Sequence, residues 1–342
     1  MLQPIEYLEF ALQHFVSTEY DLASSGAPTV APQELGYEAP DDADARLRFT
    51  YAIGGRYQVP ITNLVPTLGA SGALDVVCRG LLGHGDVVAV EQPGYEPLWR
   101  VPAASGAKVV RFERAEDPAA LMPTLADAKL VLLSNPHNPT TTHVPDEWLH
   151  QLAALLGPDR LLVVDEAYRE LYQPASTAFG PPNLICINSV TKCLGVPWAR
   201  AGWISAPADT TSRLRRVEMF SVGAAPPSCF AWGAAAVEQA GWLLERVTRM
   251  QQGKRERVLE WLDARREQLA YVEPLPGSLF VWVRHLKLHD VTPHVLRGIE
   301  EEGVVVAPGG FFGAPSWFRL AFTLSAERLD EGLERLGRAL EV

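Results

Sequence analysis

Leu161-Leu162-Val163-Val164-Asp165-Glu166-Ala167-Tyr168 reads as a buried strand that stops at an acid. A continuous apolar run has both faces covered, as in a parallel sheet packed between helices. Working outward, similar runs occur at Asp86–Glu91, Lys108–Phe112, Leu130–Leu133, Leu184–Ile187 and Gly202–Ser205. Helical patterns lie between them near Ser71–Leu82, Tyr95–Ala104 and Asp146–Leu156. Strands alternating with helices give an α/β fold, and such sheets bind ligands outside the carboxyl ends of their strands. Asp165 therefore sits where chemistry is expected, although an acid ending a strand also serves as a helix cap.

After Ala206 the pattern changes to long helical stretches, including a charged one from Glu238 to Leu269. Leu279–Val283, Thr292–Glu302 and a final helix over Ala326–Leu340 follow, which predicts a second, smaller α+β domain. The expected division is a large domain over 40–237 and a small domain built from 1–39 and 238–342. The first forty residues have no strong sheet pattern and are expected to pack on the small domain.

The chain has 342 residues, long enough for two domains. Its 41 acidic against 30 basic residues argue against nucleic acid as a partner, because such binding rests on neutralising phosphates. Cys78, Cys186, Cys193 and Cys229 lack paired spacing, so neither a disulfide scaffold nor a zinc ribbon is expected. No Lys or Arg precedes Arg46, which removes the basic start of a signal peptide and predicts a cytoplasmic protein. The apolar stretch Met219–Val237 contains Pro226-Pro227 and reads as a buried loop and helix start rather than a membrane span. His137, His143 and His150 lack metal-ligand spacing, so no metal is expected.

Lys192 lies in Ser189-Val190-Thr191-Lys192-Cys193-Leu194-Gly195, with Arg200 eight residues further on. A lone Lys beside apolar neighbours usually snorkels to the surface. With Ser before it, a Gly-containing loop after it and an Arg following, it can form a Schiff base beside an anion site. In Thr67-Leu68-Gly69-Ala70-Ser71-Gly72-Ala73-Leu74 a strand passes through glycines into a helix, which is either a tight turn or a phosphate cradle at a helix N-terminus. Asn135-Pro136-His137-Asn138-Pro139-Thr140-Thr141 and Pro93-Gly94-Tyr95 also follow strands, and each can be a plain loop or part of a site.

In this order the segments resemble the class I/II aminotransferases of pyridoxal 5'-phosphate (PLP) fold type I, from about Asp21 to Arg319. Ser-x-x-Lys with Arg eight residues after the Lys is the sharpest part. The resemblance implies a mixed, mostly parallel sheet flanked by helices, and a PLP enzyme that moves an amino group between an amino acid and a 2-oxo acid. It implies that Lys192 holds PLP as a Schiff base and that Asp165 pairs with the ring nitrogen. Tyr168 and Asn138 would bond the 3'-oxygen and Tyr95 would stack on the ring. Gly69, Ala70, Ser71, Ser189 and Arg200 would hold the phosphate. Gly26 and Arg319 would form the substrate-carboxylate site. Tyr37 falls where the family often sends a Tyr to the neighbouring subunit's phosphate, so a homodimer is expected.

The pattern departs at Thr141, where the family usually has Gly, and at Pro197-Trp198-Ala199, where Gly-Leu is common and where the wall beside the phosphate is expected to be bulkier. The same cage serves lyases and decarboxylases. The Asp21–Gly26 stretch also resembles a branch containing guanidino-amino-acid cyclases. A PLP-binding regulator without turnover and a nucleotide-binding α/β protein are the remaining alternatives.

Overall fold

The computed structural model describes residues 3–36 and 44–342; Tyr37 lies outside them. The N-terminal helix α1 (Glu6–His14) buries Tyr7 and Phe10, three residues apart on one face. A two-residue strand, β1 (Tyr20–Asp21), follows. Helix α2 (Ala45–Tyr57) leads to β2 (Leu64–Thr67), and α3 (Gly69–Leu81) to β3 (Val87–Glu91). Next come α4 (Pro97–Ala104), β4 (Lys108–Phe112), β5 (Leu130–Ser134), α5 (Asp146–Leu156), β6 (Leu161–Asp165), β7 (Leu184–Ser189) and β8 (Gly202–Ser205).

Strands β2 to β8 form a seven-stranded sheet of order β2-β8-β7-β6-β5-β3-β4. Strands β3 to β7 are parallel, and β8 runs antiparallel to both its neighbours. Successive side chains of the central strands point to opposite faces. Leu130, Leu132, Val163 and Ile185 join one apolar cluster, while Val131, Leu133, Val164 and Cys186 join another. Each such aliphatic side chain contributes about 1.5–3 kcal/mol by leaving water, which explains why the apolar runs were so readable.

Helix α6 (Ala208–Val222) precedes α7 (Pro227–Glu238). The apolar stretch from Met219 is thus split: Met219 and Phe220 are 68% and 93% exposed at the end of α6, whereas Phe230–Val237 are buried in α7. Among the described residues no helix is long and apolar enough to cross a membrane.

The expected helix over Glu238–Leu269 is two helices, α8 (Ala240–Gln251) and α9 (Lys254–Asp263), and Leu269 opens a strand, β9 (Leu269–Val272). Gly253 takes a left-handed φ of 73° and breaks the run, which its charged flanks had concealed. Strand β10 (Phe280–His285), α10 (Thr292–Arg297) with a π-helical turn over Gly298–Glu302, β11 (Val304–Val305), β12 (Ala307–Pro308), β13 (Trp317–Ala321) and α11 (Ala326–Leu340) complete the chain.

The second sheet has the order β12-β13-β10-β9, and β1 pairs with β11. Tyr7, Phe10 and Tyr20 share a core with Trp282, Phe318 and Leu333, so the N-terminal segment packs against C-terminal elements. Helix α8 begins in a cluster with α2 and α7 through Leu243 and ends beside Phe280 through Val247, bridging the regions of the two sheets.

Candidate active site

Strands β6 and β7 are parallel neighbours, with Asp165 opposite Ile187, so Asp165 and the loop carrying Lys192 leave the sheet at the same edge. The Ala167 N–H donates to Asp165 Oδ1 at 3.0 Å. Burial nevertheless pushes the Asp165 carboxyl up to about 6, against the pull of that hydrogen bond and of Lys192. The Lys192 amine is brought down to about 8, first by burial and then by Arg319, with Asp165 opposing and Arg200 adding a smaller push. Arg319, delivered by the other sheet, is a stronger cationic influence on Lys192 than Arg200.

Gly26 lies against this lysine. A Cβ there would stand 3.7 Å from Lys192 Cδ, and the following Ala27 N–H donates to the Lys192 carbonyl at 2.7 Å. Ser25, only 2% exposed, accepts from Tyr168 Oη at 2.7 Å and from Lys192 Nζ at 3.5 Å. Tyr168 thus has a protein partner for its hydroxyl and packs edge-on against Phe280, with ring centroids 5.2 Å apart. Burial raises its pKa, which keeps the phenol protonated.

Gly69 opens α3 with φ of 73°, and a Cβ on it would lie 2.7 Å from Arg200 Nη2. Only a residue without a side chain lets the guanidinium stand over that helix end. Gly202 serves the same approach from the paired strand, since its Cβ would meet the Gly69 backbone at 2.5 Å. Arg200 itself takes a left-handed φ of 53°, a strained conformation of the kind found at functional positions. Ala70 and Ser71 continue the first turn of α3, with its free N–H groups, and Ser71 and Arg200 are exposed. Ser189 ends β7, and its Oγ accepts from Thr191 N at 3.3 Å. Trp198 donates to the Val30 carbonyl at 2.8 Å and meets the Trp232 ring edge-on at 5.1 Å, which engages the bulk expected beside the phosphate in core packing.

Arg319, on β13, is fully buried rather than on the surface. Its Nη1 donates to Asn138 Oδ1 at 2.9 Å, and its Nη2 donates to Tyr7 Oη at 2.8 Å and to the Ala23 carbonyl at 3.0 Å. Its Nε has no hydrogen-bond partner. The rings of Tyr7, Phe280 and Phe312 surround it at 5.6, 5.0 and 5.2 Å. No carboxylate pairs with this buried cation among the described residues, which suits a site for an incoming anion. Tyr95 precedes α4 instead of opening it; its ring lies 5.3 Å from that of Tyr7, and burial raises its pKa.

His137 is buried, with Nε2 at 2.8 Å from the Pro93 carbonyl and Nδ1 at 2.6 Å from Thr140 Oγ1, so it ties together two loops of the site. Sequence reading passed over Ser25 and Tyr7. Ser25 sat unremarked beside Gly26, and the aromatic spacing of Tyr7 and Phe10 was the one available sign that α1 has a buried face.

The residues fit PLP on structural grounds. There is a glycine-backed guanidinium at a helix N-terminus for a phosphate, a carboxyl lifted by burial for a ring nitrogen, and a lowered amine that feels both of them for an aldehyde.

Residues 43–336 match the family of class I and II aminotransferases, and the chain belongs to that family. It is a PLP-dependent enzyme of fold type I. It is 30% identical over 317 residues to capreomycidine synthase of Streptomyces vinaceus, covering 89% of this chain and 80% of that protein. It is also 30% identical over 303 residues to arginine–pyruvate transaminase of Pseudomonas aeruginosa, covering 81% and 75%. A crystal structure of a PLP-dependent aminotransferase from Streptococcus suis superposes with a TM-score of 0.87 at 22% identity, covering 99% of this chain and 98% of that one.

Proposed function

We propose that the chain is a transaminase that moves an amino group between an amino acid and a 2-oxo acid. The carrying observation is the Lys192 amine, buried, lowered to about 8 and within electrostatic reach of both Asp165 and the Arg319 that binds Asn138. Near pH 8 an appreciable fraction of this amine is neutral and able to attack an aldehyde. Asp165, charged above about pH 6, is suited to a protonated ring nitrogen. Gly69, Ala70, Ser71, Ser189 and Arg200 would hold the phosphate, Asn138 and Tyr168 the 3'-oxygen, and Tyr95 the ring face. Bound PLP supplies an electron-withdrawing ring that stabilises negative charge on the substrate's Cα.

Arg319 would grip the substrate carboxylate beside Gly26 and fix which Cα bond lies perpendicular to the ring. Lys192, displaced from the cofactor by the substrate amine, would take the proton from Cα and deliver it to the cofactor's C4', acting as base and then as acid. Ser25, within reach of the amine and of Tyr168, would orient both. We further propose a homodimer with Tyr37 reaching the partner's phosphate site, a division into 40–237 and 1–39 with 238–342, and a cytoplasmic location.

A cyclase is the second reading, favoured by the 30% identity to a synthase over 89% of the chain. An amino-acid panel tests the choice. Purified holoenzyme should lose its cofactor absorbance band with a donor and regain it on addition of pyruvate or 2-oxoglutarate, with a new amino acid formed. Release of ammonia or carbon dioxide, or a cyclic product without any need for a 2-oxo acid, would overturn transamination.

A further inference from the structure

Arg319 has only donors, so in its 2.8 Å contact with Tyr7 the phenol oxygen must accept. The phenol's own proton then remains to be given. No described residue takes it, although Tyr7 is only 5% exposed. Arg319 Nε is likewise buried and without a partner. Buried donors of this kind are costly to leave unmade, and both belong to the two side chains joined by the Nη2–Oη contact. Tyr7 is also held at its backbone, where its N–H donates to Glu96 Oε2 at 2.7 Å. Glu96 is 2% exposed and pairs with Arg100. Around the phenol, Tyr95, Phe311 and Phe312 stand edge-on at 5.3, 6.1 and 5.7 Å. The ring is thereby fixed at both ends, and its hydroxyl is in place before any ligand arrives.

We infer that Tyr7 is a substrate-binding residue, whose hydroxyl donates to the same carboxylate that Arg319 grips, so that the N-terminal helix supplies part of the amino-acid site. This rests on the reading of Arg319 as the carboxylate anchor. Tyr7 accepts from the guanidinium and donates onward, and this relay orients the carboxylate without a second charge. The surrounding rings exclude water and strengthen both bonds.

The test uses holoenzyme and 2-methylalanine, an amino acid with no Cα hydrogen to lose, and follows binding through the cofactor absorbance. n-Propylamine, which has the amine but no carboxylate, is the control. Tyr7→Phe keeps the ring and should weaken 2-methylalanine about 10- to 100-fold, the loss of one hydrogen bond to a charged group, while leaving n-propylamine unchanged. With the best donor of the panel, KM should rise by a similar factor and kcat should fall less than threefold. Equal or tighter 2-methylalanine binding by Tyr7→Phe would overturn the inference, and so would equal weakening of both probes, which would mark a general packing role. If wild-type enzyme binds n-propylamine but shows no preference for 2-methylalanine, the carboxylate reading of Arg319 itself fails, and this inference fails with it.

Discussion

Arg319 Nη1 donates to Asn138 Oδ1 at 2.9 Å, joining the second sheet to a loop at the edge of the first. The contact ties the fully buried Arg319 guanidinium to the loop that follows β5. Arg319→Lys keeps the charge but loses the fork, and it should raise KM for the amino donor at least 100-fold, with a smaller effect on cofactor affinity. Steady-state kinetics with cofactor titration would check the separation. Asn138→Ala should impair both, because it removes a partner of Arg319 and a proposed bond to the ring.

Lys192→Ala should abolish turnover, by at least 1,000-fold, while PLP still binds through the remaining residues. For the wild-type apoprotein, the lowered amine sets a pH dependence. The rate of cofactor capture should rise as the amine loses its proton, reaching half its maximum near pH 8 and levelling off above it. Stopped-flow absorbance between pH 6 and 9.5 measures it. A rate still climbing with no plateau at pH 9.5 would mean that burial does not tune this lysine.

Asp165→Asn removes a carboxyl whose folded-state pKa is raised from 3.8 to about 6 by burial. The native carboxyl binds more protons than the unfolded one between these values, so its contribution to stability falls as pH rises through that window and stays unfavourable above it. The apoprotein of this variant should therefore be no less heat-stable than wild type at pH 7, yet it should lose at least 100-fold in activity. Thermal unfolding and rate measurements on the same preparation decide it. A destabilised apoprotein would show that Asp165 is a structural cap.

Thr141 stands with φ of 64° where the family's usual residue is Gly, and its buried position keeps a β-branched side chain in a left-handed conformation. Such strain costs of order 1–2 kcal/mol. Thr141→Gly should raise stability by about 1 kcal/mol, seen as a higher denaturation midpoint, with activity within about twofold of wild type.

The strands around Asp165 were legible because both sheet faces are apolar, and Lys108–Phe112, Gly202–Ser205, Asp146–Leu156 and Ala326–Leu340 appear at the expected boundaries. Lys192, Asp165, Asn138 and Arg319 could be nominated together from their order along the chain, and the fold brings them within mutual electrostatic or hydrogen-bond reach. Ser25 and Tyr7 were not. They reach the site through the tertiary path of the N-terminal segment, which no local periodicity encodes. The break at Gly253 was hidden because the helices on its two sides share one charged composition.

Reduction of the holoenzyme with borohydride, followed by peptide mass spectrometry, locates the lysine that carries the cofactor. A single stable phosphopyridoxyl label is expected, carried on Lys192 and absent from Lys192→Ala. A label on another lysine, or none on a holoenzyme that retains its bound cofactor, would contradict it.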